Sequence, residues 1–242
     1  MTGKAMISRT TERQDPRKMP VTRGRRVVIA ALSALALLAA AGCGSGGGTA
    51  AGASAPAASS APPASHTYAS KYFRPPLTVT VDPSLKSPPV IDFTTFLTWD
   101  AVSSSSNKVR FLIPTNVYRP GSLVSQAPPK DYLRWLQRLT RHGLKLSDVV
   151  KITVDGHRAT LMTGTSTAAH GPEFFAGTIG CPDPGDDQIE SCFGIEPSVI
   201  CRLAVIPLGK TTLLAWARTS SAHPDEAFFA MFEKMLTSVR FR

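Results

Sequence analysis

The segment Leu213-Leu-Ala-Trp-Ala217 restricts the fold of this chain more than any other. Successive side chains of a strand point to opposite faces, so both faces of this segment are apolar. Such a strand has to be covered on both sides. It belongs to a predicted hairpin that consists of Ile200–Pro207, the turn Leu208-Gly209-Lys210 and Thr211–Arg218. The chain therefore has to place other structure against both faces of a β-sheet.

Further strands are predicted on either side of this hairpin. Val149–Val154 and His157–Thr163 flank Asp155-Gly156, a dipeptide that tolerates the positive φ angles of a tight turn. Alternating or short apolar runs predict four more strands. These are Leu77–Val81, Phe96–Ala101, Lys108–Pro114 and a short last strand at Val239–Phe241.

Two amphipathic segments predict helices. The first covers Lys130–His142 and ends at Gly143, and the second covers Pro224–Thr237 with Pro224 at its first position. Their apolar stripes are Tyr132, Trp135, Leu136 and Leu139 in the first, and Phe228, Phe232, Met235 and Val239 in the second. The fold class expected is α+β, an antiparallel sheet flanked by helices.

The first 43 residues have the layout of an export signal. Arg25-Arg26 precede the apolar run Val27–Ala41, whose 15 residues are fewer than the roughly 20 that a spanning helix needs. A start at Met19 would give this signal a basic region of ordinary length. Arg25-Arg26 also allow a twin-arginine signal. We expect export either by the twin-arginine route or by the general secretory route, and the general route is the simpler interpretation.

The end of the apolar run, Ala39-Ala40-Ala41-Gly42-Cys43, resembles the lipobox of bacterial lipoproteins. The resemblance implies cleavage before Cys43 and lipidation of that cysteine, although Ala40 stands where the lipobox prefers Leu. Cleavage after Ala41 by ordinary signal peptidase, which would give a secreted protein, is the alternative. The expected site is the outer face of the cytoplasmic membrane, where two or three acyl chains would anchor the protein.

Composition and charge divide the rest of the chain. Residues 43–70 are almost all Gly, Ala, Ser, Thr and Pro, which predicts a disordered tether, and residues 71–242 are predicted to form a single extracytoplasmic domain. Residues 1–42 hold 8 Lys and Arg against 2 acidic residues, and the remainder holds 19 against 15. Most of the net charge therefore lies in the leader, and nucleic acid is not an expected partner.

Three cysteines remain if Cys43 is lipidated. Cys181 and Cys192 close a polar, Pro- and Gly-rich loop and are the favoured disulfide, with Cys192–Cys201 as the alternative. Cys201 lies on the same strand face as Leu203 and Val205, which suits a buried thiol. Neither metal nor cofactor is expected, since no Cys-x-x-Cys occurs and the loop acids, Asp183, Asp186, Asp187 and Glu190, lack EF-hand spacing.

Few polar groups qualify as functional candidates. Arg134, Arg138 and Arg141 recur along the first helix, flanked by Lys130 and Lys145, and form a candidate contact for an anionic surface or polymer. His157 with Asp155 is a weak candidate for a base and its orienting group. The sequence holds no Gly-x-Ser-x-Gly, His-Glu-x-x-His or P-loop motif, and Gly209-Lys210-Thr211 lacks the glycine that a P-loop requires. Trp99 and the pair Phe174-Phe175 are interpreted as core residues.

The order of elements resembles the PsbP-like fold and, in outline, the mycobacterial LpqN-type lipoproteins. Val109-Arg-Phe-Leu-Ile-Pro114, the hairpin at Asp155-Gly156 and the closing segment Phe232–Phe241 carry this resemblance. It implies a non-catalytic accessory or binding lipoprotein. We expect a monomer that binds a small ligand, a lipid or an envelope protein. The alternatives are a cell-envelope hydrolase with a convergent Ser/His/Asp site and a structural component that binds anionic polymer.

Overall fold

A seven-stranded antiparallel sheet forms the middle layer of the protein in a computed structural model, which describes residues 64–122, 124–167, 177–183 and 192–242. The strands are β1 His66–Ala69, β2 Leu77–Val81, β3 Ile91–Asp92, β4 Phe96–Asp100, β5 Lys108–Leu112, β6 Val117–Tyr118, β7 Ser125–Gln126, β8 Leu144–Val154, β9 His157–Ser166, β10 Val199–Leu208, β11 Thr211–Ser220 and β12 Arg240–Phe241. The helices are α1 Tyr132–Leu139, which continues into a 3-10 turn at Thr140–His142, and α2 Glu226–Ser238.

The strand order of the central sheet is β3-β4-β5-β11-β10-β9-β8, so β11 lies in its middle. Leu213, Ala215 and Ala217 of β11 enter the core beneath α2, whereas Leu214 and Trp216 enter the core beneath α1. All five residues are fully buried, as their two-sided apolar pattern predicts. The α+β class, with an antiparallel sheet between helices, is confirmed.

The α2 layer covers one face of the sheet together with a small three-stranded sheet, β1-β2-β12. Phe228, Phe232 and Met235 of α2 are buried there, as predicted. The predicted start of the helix at Pro224 is wrong by two residues. Asp225 is the N-cap, because its carboxylate accepts the otherwise unpaired N–H of Phe228 at 2.9 Å, whereas Pro224 has no side-chain acceptor for this role.

The two predicted hairpins are present and their strands are longer than expected. β8 and β9 meet at Asp155-Gly156, where both residues have positive φ. β10 and β11 pair as far as Leu208 and Thr211, so the turn is Gly209-Lys210 and Leu208 belongs to the strand. Since cross-strand hydrogen bonds set a two-residue connection here, Leu208 is not part of the loop that the sequence predicted.

The ordered fold begins earlier than the sequence predicted. His66–Ala69 pairs with β2 in antiparallel register, although these residues fall within the predicted 43–70 tether. The carboxylate of Asp92 holds this strand and the turn after it: it accepts the Tyr68 hydroxyl at 2.6 Å and the N–H groups of Lys71 and Phe73 at 2.8 and 3.1 Å. Burial and the Asp92 carboxylate both raise the pKa of Tyr68.

All the described elements belong to one compact unit, Ala58–Arg242, which contains both hydrophobic cores. No helix within the described residues is long and apolar enough to cross a membrane. The lipobox, Cys43 and the export signal lie outside the described residues. Cleavage and lipidation at Cys43 therefore stay predictions from the sequence.

Candidate functional site

A cavity of about 450 Å³ opens beside α1, between this helix and a short arm formed by β6 and β7. The arm is an antiparallel pair in which Val117 faces Gln126 and Tyr118 faces Ser125. Its two strands contain two residues each, and the sequence patterns did not predict them. The described residues that line the cavity are Val117, Arg119, Pro120, Gln126, Ala127, Pro129, Trp135, Arg138, Leu139 and His142.

The floor of the cavity is apolar and firmly held. Val117, Trp135 and Leu139 are between 1% and 6% exposed, so their packing belongs to the core beneath α1. The Trp135 indole N–H donates to the carbonyl of Thr178 at 3.3 Å. The hydroxyl of the same Thr178 accepts the N–H of Tyr118 at 2.6 Å. Thr178 therefore joins the helix side of the cavity to the arm.

A close approach of three segments fixes the back of this floor. Gly177 has φ +89°, and a Cβ atom there would lie 2.7 Å from Cδ2 of Leu139 and 3.1 Å from Cδ of Pro120. A side chain at this position would therefore strain the backbone and push the helix and the arm apart. Glycine is therefore required for Leu139 and Pro120 to pack against the backbone at position 177.

The rim of the cavity is basic. Arg119 donates from Nε to Oε1 of Gln126 at 2.8 Å, across the arm. The guanidinium carbon of Arg138 lies 5.4 Å from the centre of the Trp135 ring, in a cation–π arrangement. His142 completes the rim, and none of the described lining residues carries a carboxylate.

Beyond the leader, the excess of basic residues is concentrated in the segment that contains α1 and the arm. Residues 119–145 hold six Lys and Arg and one acidic residue, while the rest of 43–242 holds 13 basic and 14 acidic residues. The single acid, Asp131, caps α1 by accepting the N–H of Arg134 at 3.0 Å. The segment that forms this wall of the cavity therefore carries a net charge of +5, although the remainder of residues 43–242 is close to neutral.

The three arginines of the predicted stripe do not all lie at the cavity. Arg134, Arg138 and Arg141 are all exposed, but only Arg138 lines the cavity. Sequence reasoning did not single out Arg119 or His142, which share the rim with Arg138. Arg119 lies 19 residues before Arg138. Helical periodicity therefore gave no sign that the two residues meet.

The favoured disulfide, Cys181–Cys192, is present, and Cys201 is a buried free thiol. Burial raises the pKa of the Cys201 thiol to about 12, so this group is protonated in the folded protein at neutral pH. Among the loop acids, the backbone N–H of Asp183 donates to Thr95 Oγ1 at 2.9 Å. Asp186, Asp187 and Glu190 lie outside the described residues.

The base and orienting group considered for a hydrolase do not form a catalytic pair. Asp155 accepts the N–H of Phe241 at 2.7 Å and lies 3.9 Å from Nε of Arg240. The His157 ring packs edge-on against Phe241, with 5.5 Å between ring centres. Among the described residues no hydroxyl or carboxylate bonds to His157, so nothing described there supports a Ser/His/Asp site.

Of Trp99, Phe174 and Phe175, which the sequence assigned to the core, the structure describes only Trp99. Trp99 is fully buried and packs edge-on against Phe111 and Tyr68. Phe174 and Phe175 lie outside the described residues. The described residues contain no cluster of three His, Cys, Asp or Glu side chains placed to hold a metal ion.

A second cavity, of about 430 Å³, lies between α2 and the sheet, and the one arginine of its described lining already binds its neighbours. Arg202 is paired with Glu233 at 2.8 Å and also donates to Thr163 at 3.0 Å. The hydrogen bond from Thr163 contributes most to holding the pKa of Asp148 below its usual value. This cavity is polar, and its described lining holds three carboxylates, Asp148, Glu226 and Glu233, against one arginine, unlike the cavity beside α1.

No protein-family model matches the chain, and no curated protein matches it. Among solved structures it is similar to the cyanobacterial PsbP of Synechocystis, CyanoP, with 7% identity and a TM-score of 0.39 over 78% of this chain and 99% of that one. It is also similar to PA94, a protein of unknown function from Pseudomonas aeruginosa, with 14% identity and a TM-score of 0.37 over 73% and 98% of the two chains. Likeness at this level carries no functional argument.

Proposed function

We propose that this chain is a non-enzymatic, lipid-anchored protein of the cell envelope, and that the cavity beside α1 is its ligand site. One observation carries the binding role. The cavity combines a buried apolar floor, at Trp135 and Leu139, with the arginines of the rim, and its described lining residues include no carboxylate. Sites for small molecules typically pair an apolar lining with a few placed polar groups.

The proposed location has two supports. The Cys181–Cys192 disulfide fits an oxidising compartment outside the cytoplasm. The Ala39–Cys43 segment resembles a lipobox and supplies Cys43 as the acylated residue. Together they favour a protein that is exported and then held at the membrane surface.

The test of the binding role uses a variant that obstructs the cavity. Ala127 lines the cavity from the arm, and Ala127→Trp places an indole in it; Ala222→Trp, at an exposed alanine beyond β11, is the matched control. The full chain is produced in a bacterium that processes lipoproteins and is purified from membranes. Native mass spectrometry is expected to detect a retained small molecule on the original protein and on Ala222→Trp, with at least a tenfold lower occupancy on Ala127→Trp.

The same preparation tests the anchor. Its mass under denaturing conditions is expected to correspond to a chain that begins at Cys43 and carries two or three acyl groups. A chain that begins elsewhere without acyl groups would show that the anchor is wrong. Equal ligand occupancy in the two tryptophan variants, or none in the original protein, would show that the cavity is not the ligand site.

A further inference from the structure

We infer that the cavity beside α1 binds the phosphate-bearing headgroup of an anionic membrane phospholipid. This inference rests on the proposed function and adds the class of ligand to it. The headgroup phosphate would be held by Arg119 and Arg138 at the rim, and the first part of the lipid's apolar body would lie on Pro120, Ala127 and Pro129, against the edge of Trp135.

The rim chemistry selects an anion. Arg119 and Arg138 offer planar guanidinium groups, which match the oxygen atoms of a phosphate with paired hydrogen bonds. The Gln126 side chain already accepts a hydrogen bond from Arg119, so it helps to hold that guanidinium across the arm. The choline cation of a zwitterionic headgroup would lie beside these arginines, and the described lining residues include no carboxylate to pair with it.

The floor selects an amphiphile rather than a free anion. Val117 and Leu139 are buried behind the cavity and Trp135 is 6% exposed, so the apolar lining that a ligand can cover lies mainly on Pro120, Ala127 and Pro129, which are half-buried or exposed. A free phosphate ion would satisfy the arginines and leave this surface against water. Apolar atoms attached to the phosphate would cover it, and burial of that area favours binding.

The surroundings of the cavity fit a membrane surface. Arg134 is exposed on α1 and Arg141 on the 3-10 turn that continues it, while Lys130 precedes the helix and Lys145 lies in β8, both also exposed. None of these four cations lines the cavity. A basic face of this kind is attracted to anionic leaflets within about one Debye length, roughly 8 Å at physiological salt. The face would orient the cavity toward the bilayer.

Two double variants with equal loss of charge separate headgroup binding from general attraction. Arg119→Gln/Arg138→Gln alters the rim, and Arg134→Gln/Arg141→Gln alters exposed arginines that do not line the cavity. The chain 44–242 contains the compact unit Ala58–Arg242 and lacks Cys43, so an acyl anchor does not contribute. Its co-sedimentation is measured with phosphatidylcholine vesicles, with and without 30 mol% phosphatidylglycerol, after thermal unfolding shows that both variants are folded.

Binding to the phosphatidylglycerol vesicles is expected to exceed binding to phosphatidylcholine by at least tenfold. The partition constant for these vesicles is expected to fall at least ten times further in Arg119→Gln/Arg138→Gln, the rim variant, than in Arg134→Gln/Arg141→Gln, the stripe variant. Equal losses in the two variants would indicate general attraction to the basic face and would overturn the headgroup site, as would equal binding to both vesicle types. A neutral molecule retained in the native mass spectrum would overturn the inference while leaving the proposed function intact.

Discussion

Replacing Trp216 with alanine is expected to lower the free energy of unfolding by about 3–5 kcal/mol, the range for removal of a large aromatic side chain from a packed core. Trp216 is fully buried on the middle strand β11, on the face that supports α1. Its ring stacks on Phe193, with 3.9 Å between ring centres and 13° between planes, and Phe96 packs at 6.5 Å. Loss of the indole would leave both phenylalanines beside a cavity.

The measurement is guanidinium unfolding followed by far-UV circular dichroism, because the substitution removes a tryptophan and complicates fluorescence. Trp216→Phe is the matched control. The indole N–H of Trp216 has no hydrogen-bond partner among the described residues. Trp216→Phe therefore removes only part of the ring area and is expected to lower the free energy of unfolding by less than Trp216→Ala does. If Trp216→Ala lost under about 1 kcal/mol, Trp216 would not hold the α1 layer on the sheet.

Removing the disulfide by Cys181→Ser/Cys192→Ser is expected to cost about 2–3 kcal/mol, from the chain entropy of a short closed loop. The backbone N–H of Cys181 donates to Asn116 at 3.0 Å, and its carbonyl accepts the N–H of Thr115 at 2.8 Å. Cys192 directly precedes Phe193, which stacks on Trp216. The bond therefore ties the segment before β6 to the aromatic cluster of the core.

This loss is measured by chemical unfolding of the double variant and of the original protein. The original protein treated with a thiol reductant is expected to unfold at the same midpoint as the variant. The disulfide and Trp216 share Phe193, so their combined effect is expected to be smaller than the sum of the separate losses. Additive losses would show that Phe193 does not couple them. Peptide mapping that found a Cys192–Cys201 bond would contradict the pairing itself.

Local sequence patterns predicted the elements whose buried faces can be read from the spacing of their own apolar residues. The apolar residues on both faces of Leu213–Ala217 specify a covered middle strand. The 3–4 spacing of Tyr132, Trp135, Leu136 and Leu139 specifies the buried side of α1, and all four are buried. In both segments a period of 2 or 3.6 residues carries the signal, and that period is visible without knowledge of any contact.

Elements that depend on distant partners were missed. The strand His66–Ala69 has a single half-buried residue, Tyr68, and its stability comes from pairing with β2 and from Asp92, 24 residues away from Tyr68. The arm β6–β7 has strands too short to show alternation. The cavity depends on this arm, α1 and Thr178 meeting in space, so only Arg138, which the stripe singled out, could be predicted from sequence as part of a binding site.

The most direct test of the central claim, a ligand site beside α1, uses the indole N–H signals of the three tryptophans. Trp135 forms the cavity floor, Trp216 lies deeper in the same core, and Trp99 belongs to the core under α2. The chain 44–242, labelled with ¹⁵N, is titrated with soluble dihexanoyl phosphatidylglycerol and followed by two-dimensional NMR. A saturable shift is expected for the Trp135 indole, with Trp99 unchanged and Trp216 moved far less. An unmoved Trp135 signal at saturating lipid, or equal shifts at all three tryptophans, would contradict the proposed site.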